Sequence, residues 1–118
     1  MAPLKVFHGD DSDAFRFLVS ELLPDDDIVV VGGAATPDAV LDGVAREQPD
    51  VVLLDQLGEA SLIDGVRARV PGVRVIVLSG HQRGDGDPEF EARADGYLVK
   101  TADAAAMRAV VRGERAHG

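Results

Sequence analysis

The chain has 118 residues, is 46% hydrophobic and carries a formal charge of −9. This is enough for one compact core but too short for two ordinary globular domains. The acidic balance argues against a nucleic-acid surface, which needs clustered Lys and Arg, and the absence of Cys excludes disulfide frameworks and thiolate metal sites. No apolar run approaches a membrane span and no basic segment leads into an apolar signal core, so residues 1–118 are read as one soluble, cytoplasmic domain without membrane contact.

Leu4 to Phe7 is the first β-type run. Phe15, Leu18, Val19, Leu22 and Leu23 then recur at helical spacing, with Ser12 and Asp13 as caps and Pro24 as the stop. Ile28 to Val31 reads as the second strand. After it Thr36 can cap a helix that starts at Pro37, where a missing N–H is harmless, and Val40, Leu41, Val44 and Ala45 form its buried stripe up to Pro49. Val51 to Leu54 is the third strand, and Leu62 to Val70 a helix with Ile63, Val66 and Val70 inward. Val73 to Leu78 is the fourth strand. Between Ser79 and Gly96 only Pro88 to Ala94 looks helical, and the flexible composition of the HQRGDGD stretch before it predicts a short or mobile fourth helix. Tyr97 to Val99 is the fifth strand. A last helix runs from Thr101 or Asp103 to Arg112, with Ala106, Met107, Val110 and Val111 inward and Gly113 beyond its end.

Most of these strands are continuously apolar, a pattern suited to a parallel sheet covered by helices on both faces. Strands alternating with helices imply βα units with right-handed crossovers. In such a sheet the ligand site forms at the carboxyl ends of the strands, where their order switches direction. That rule collects Asp10 and Asp11 after the first strand, Asp55 after the third, Ser79 after the fourth and Lys100 after the fifth. Three carboxylates placed together repel one another unless a hard divalent cation compensates them, which points to Mg2+ or Mn2+. Magnesium uses few protein carboxylates and commonly binds with phosphate oxygens, so the cluster suits phosphoryl transfer better than a structural cage. Lys100 adds a mobile positive charge. Taken singly, Asp10 and Asp11 could cap the first helix, Ser79 could satisfy a turn and Tyr97 could be a half-buried packing residue. Asp25, Asp26 and Asp27 read as a solvated loop.

The stretches HGDDSD, PDVVLLD, VIVLSG and ADGYLVK, in this order, resemble the signature segments of response-regulator receiver domains of two-component signalling. The resemblance covers nearly the whole chain. It implies an α/β, flavodoxin-like, doubly wound five-stranded parallel sheet of strand order 2-1-3-4-5. It also implies that Asp55 is a nucleophile toward a phosphohistidine on a sensor histidine kinase or phosphotransfer protein, forming an acyl phosphate on the chain itself without turning over a separate substrate. Asp11 and Asp55 would bind the metal directly, Asp10 would act through a metal-bound water, and the backbone carbonyl of Leu57 would add a ligand. Ser79 would hydrogen-bond one phosphoryl oxygen and Lys100 pair with another. Tyr97 would swing inward as Ser79 moves, changing the surface of the fourth helix, fifth strand and fifth helix. The resemblance also suggests an effector domain or a homodimer as partner. His81 lies two residues past Ser79, where receiver side chains influence the water that hydrolyses the phosphoryl group; neither it nor His8 is assigned to catalysis.

The chain departs from the family pattern after Asp55. It reads DQLGEASLID, without the usual Met-Pro pair, and reaches its fourth strand early, which predicts a shortened third loop or helix. Thr101 follows Lys100 in place of a frequent Pro, removing the usual Pro-assisted cis bond. The competing reading is a degenerate receiver that works without phosphorylation as a binding or dimerisation module. A dehalogenase-like phosphatase would need an acid two residues after its Asp nucleophile, where this chain has Leu57. A flavodoxin-type phosphate site is disfavoured by Asp10 and Asp11, which repel an anion, and no GxxxxGK[ST] loop is present.

Overall fold

A computed structural model describes residues 2–80, 87–100 and 103–113. Its elements are β1 (Leu4–Gly9), α1 (Asp13–Leu22), β2 (Ile28–Ala34), α2 (Pro37–Glu47), β3 (Val51–Leu54), α3 (Ser61–Arg69), β4 (Arg74–Ser79), α4 (Pro88–Arg93), β5 (Gly96–Val99) and α5 (Ala104–Arg112). All strand pairings in the sheet are parallel and the order is β2-β1-β3-β4-β5, the flavodoxin-like arrangement.

Successive strand residues point to opposite faces, so a sheet covered on both sides needs apolar residues at every position. Phe7, Val52, Leu54, Val75 and Val77 meet Val40, Val44, Ile63, Val66 and Phe90 from α2, α3 and α4. Val6, Leu53, Ile76, Leu78 and Leu98 meet Val19, Leu23, Met107 and Val111 on the α1 and α5 side. Helix starts are capped by side chains: Ser12 Oγ accepts from Phe15 N–H at 3.1 Å, Thr36 Oγ1 from Ala39 N–H at 3.3 Å and Asp103 from Ala106 N–H at 2.8 Å. Helix α3 has no side-chain cap at Ala60.

Some inward assignments change. Leu18 is 44% exposed and its neighbour Phe17 66%: α1 buries only a narrow stripe, through Val19, with Leu23 just beyond its end. Ala45 is exposed and Gly43 buried instead, because a Cβ on Gly43 would overlap the Phe7 ring. Ala106 is also exposed, and Met107 and Val111, four residues apart, carry the inner face of α5. The loop before β2 is tied down. Arg112 of α5 pairs with Asp25 and Asp27 at 2.7 Å each. His81 and Thr101 lie outside the described residues.

Candidate functional site

The sheet's backbone ladder continues past the strand ends and aligns the acids. Asp10 N–H donates to Ala34 O at 2.9 Å, and Asp55 N–H donates to Gly9 O at 2.8 Å. A Cβ on Gly9 would lie 2.8 Å from Val40 Cγ2 and 2.9 Å from Leu54 Cδ1, so the crossing just before Asp10 is too tight for a side chain. One carboxylate oxygen each from Asp10, Asp11 and Asp55 falls within 4.8 Å of the others. Asp10 is fully buried, Asp55 is 22% exposed and Asp11 is exposed. Lys100 Nζ stands 2.8 Å from Asp10 Oδ2, 3.5 Å from Asp55 Oδ2 and 4.8 Å from the centroid of the Phe15 ring. Its backbone N–H donates to Ser79 O at 2.7 Å, joining the ends of β4 and β5.

The two inner carboxyls are driven in opposite directions. For Asp55, burial and then the Asp10 charge raise the pKa, against the lowering effect of Lys100 and the Gln56 N–H. Burial would raise Asp10 too, but His8, Lys100 and the Ser12 N–H hold its carboxyl well below the usual carboxylate range. Asp10 Oδ1 accepts from Ser12 N–H at 2.9 Å, and the buried Oδ2 faces Lys100 Nζ at 2.8 Å. Three carboxylates brought this close together form a set of hard oxygen donors that fits a divalent cation such as Mg2+ or Mn2+.

Ser79 is buried at the end of β4, in register with Val99. Tyr97 is half-buried, pairs with Val77 and packs on the core under α2, α3 and α4. The Leu57 side chain is buried and its N–H donates to Asp55 O at 2.7 Å, a tight turn directly after the acid. Gln56 accepts from Asp87 N–H at 2.8 Å and so links this turn to the start of α4.

His8, which the sequence leaves without a role, lies beside Asp10. It is 2% exposed, its Nε2 is 3.4 Å from Asp10 Oδ2, and its ring meets Phe15 edge-on at 5.6 Å. The available signal was a polar residue at the position that alternates with Val6 on the α1 and α5 side of an otherwise apolar strand. A groove of about 460 Å3 between α1 and β2 reaches His8 but none of Asp10, Asp11 and Asp55.

A family model of the response regulator receiver domain matches residues 6–112. A protein-glutamate methylesterase/protein-glutamine glutaminase of Nocardioides sp. is 42% identical over 81 residues, 66% of this chain and 22% of that protein. The transcriptional regulatory protein DesR of Bacillus subtilis is 29% identical over 120 residues, 95% of this chain and 60% of its own length. The chain thus spans about a quarter of the methylesterase relatives it matches. The signal receiver domain of the response regulator NarL from Mycobacterium tuberculosis superposes with a TM-score of 0.84 at 27% identity, over 96% of each chain.

Proposed function

The chain belongs to the response regulator receiver domain family, and from that premise we propose that it is a two-component signalling switch phosphorylated on Asp55. The donor is a phosphohistidine of a sensor histidine kinase or phosphotransfer protein. An Asp55 oxygen forms the new P–O bond as the P–N bond breaks, and the released pair returns to the imidazole, which takes a proton from solvent. The observation that carries this reading is the partly exposed Asp55 carboxylate, grouped with Asp10 and Asp11 and with Lys100 Nζ at 3.5 Å.

Asp11, Asp55 and the Leu57 carbonyl would hold Mg2+ or Mn2+ directly, with Asp10 acting through a bound water. The ion would offset charge between these carboxylates and the incoming phosphoryl oxygens. Lys100 moves to one phosphoryl oxygen and Ser79 hydrogen-bonds another. Tyr97 follows Ser79 inward, and the surface of α4, β5 and α5 changes shape for an effector domain or a second copy of the chain. The work is done in the cytoplasm, on the chain itself, without nucleic acid contact through this domain.

Intact-mass analysis after incubation with Mg2+ and acetyl phosphate tests the reading. A phosphoryl increment that disappears in Asp55→Asn is expected. If neither acetyl phosphate nor beryllofluoride gives an Asp55-dependent adduct, the chain is a phosphorylation-independent binding module instead.

A further inference from the structure

The Asp10 carbonyl and the Asp11 N–H lie in one peptide plane, so whatever holds that carbonyl also holds the start of Asp11. Asp10 is tied at its own N–H by the Ala34 carbonyl at 2.9 Å, and at Oδ1 by the Ser12 N–H at 2.9 Å. Its carbonyl is held by a side chain from further along α1. Arg16 Nη1 donates to Asp10 O at 2.7 Å, and the other end of the guanidinium pairs with Asp13 in the first turn of the same helix. The Arg16 stem reaches this place past Gly33 of the edge strand β2, where a Cβ would stand 3.4 Å from Arg16 Cδ. The pair with Asp13 does little for stability, because Asp13 is 89% exposed. The bond to the Asp10 carbonyl is part-buried and charge-assisted, which makes it the stronger of the two.

An arginine close to three carboxylates has a simple purpose available, to offset their charge. Its contacts point elsewhere. Among the described residues Lys100 is the cation paired with Asp10 and Asp55 at this edge besides His8 at Asp10, and the ion pair of Arg16 is with Asp13, outside the cluster. We infer that Arg16 is a positioning residue for the candidate cation site. By holding the Asp10–Asp11 peptide plane it keeps the exposed Asp11 carboxylate within the 4.8 Å that groups the three acids. The inference rests on the cation reading given above and adds to it a residue that need touch neither the ion nor the phosphoryl group. Groups that orient metal ligands from behind contribute about tenfold or more to affinity.

Charge compensation and positioning predict opposite signs. Arg16→Met keeps a stem against Gly33 and removes both the charge and the donors. If Arg16 only offset charge, Mg2+ would bind this variant more tightly, because a nearby cation repels the ion. As a positioning residue, its loss should weaken Mg2+ binding about tenfold in calorimetric titration of the unphosphorylated protein. Arg16→Lys, which keeps the charge and a donor for the Asp10 carbonyl, should recover most of that loss. In chelator-treated protein the carbonyl 13C signal of Asp10 should move upfield in Arg16→Met and return toward its wild-type position in Arg16→Lys. Equal or tighter Mg2+ binding by Arg16→Met, no recovery with Lys, or an unmoved Asp10 carbonyl signal overturns the role. A wild-type chain that binds no Mg2+ overturns the cation reading first and this role with it, and that titration precedes any Arg16 variant.

Discussion

At the residue scale, Asp10 and Asp55 are the same side chain at the ends of neighbouring strands, yet they are driven apart by their surroundings. Asp55 is pushed up by burial and by the Asp10 charge. Asp10 is held down, despite its burial, by His8, Lys100 and the Ser12 N–H. A carboxyl raised in the fold contributes stability that is fully present below its ordinary value of 3.8 and is lost as pH rises through the raised value. A lowered carboxyl does the reverse, contributing above 3.8 and losing that contribution as pH falls. In chelator-treated protein, Asp55→Asn should therefore melt higher than wild type at pH 7, with the gap closing as pH falls toward 3.8. Thermal unfolding followed by circular dichroism reads this directly, and an unchanged gap would mean that Asp55 is not strained by its neighbours. The positions of these acids were legible because each ends or follows an apolar run. Their opposite behaviour was not, since it depends on Lys100 arriving from the end of β5 and on the fold burying His8 against Asp10.

At the element scale, close approach decides more than propensity. Helix α2 lies against β1 through Gly43, whose missing side chain makes room for the Phe7 ring. Alanine is a better helix former than glycine by about 1 kcal/mol, so propensity alone favours Gly43→Ala. Overpacking of a filled core costs about 1–3 kcal/mol. The substitution is expected to lower the urea midpoint, and a raised midpoint would show that Phe7 can move aside freely. Helix α5 is fastened by three arginines. Arg74 donates to Val111 O at 2.8 Å and Val110 O at 2.7 Å, Arg108 to Pro24 O at 3.0 Å, and Arg112 pairs with Asp25 and Asp27. In the sequence these arginines and the DDD run look like solvated charge, because a contact spanning 85 residues leaves no local pattern.

At the scale of the whole molecule, a chain of formal charge −9 gathers three carboxylates at one sheet edge, so cation binding and folding should be linked. Mg2+ at about 100 times its Kd should raise the unfolding free energy by about 2.7 kcal/mol. Asp11→Asn should abolish that gain while leaving the metal-free stability nearly unchanged, because Asp11 is exposed. Chemical denaturation with and without chelator measures both, and equal curves for wild type in the two conditions would exclude a cation site at these acids. The sequence by itself determined a parallel sheet covered on both faces, since continuous apolar strands alternate with amphipathic helices, and with it the edge where Asp10, Asp11, Asp55, Ser79 and Lys100 gather; the doubly wound strand order came from the resemblance of its motifs to receiver domains. Tertiary structure alone decided which side chains touch: the narrow buried stripe of α1, the inward turn of Gly43, the arginine ties on α5 and the burial of the His8 imidazole beside Asp10. Periodicity reports which face of an element is covered, whereas an ion pair or a tight crossing depends on distances between elements that only the packed chain fixes.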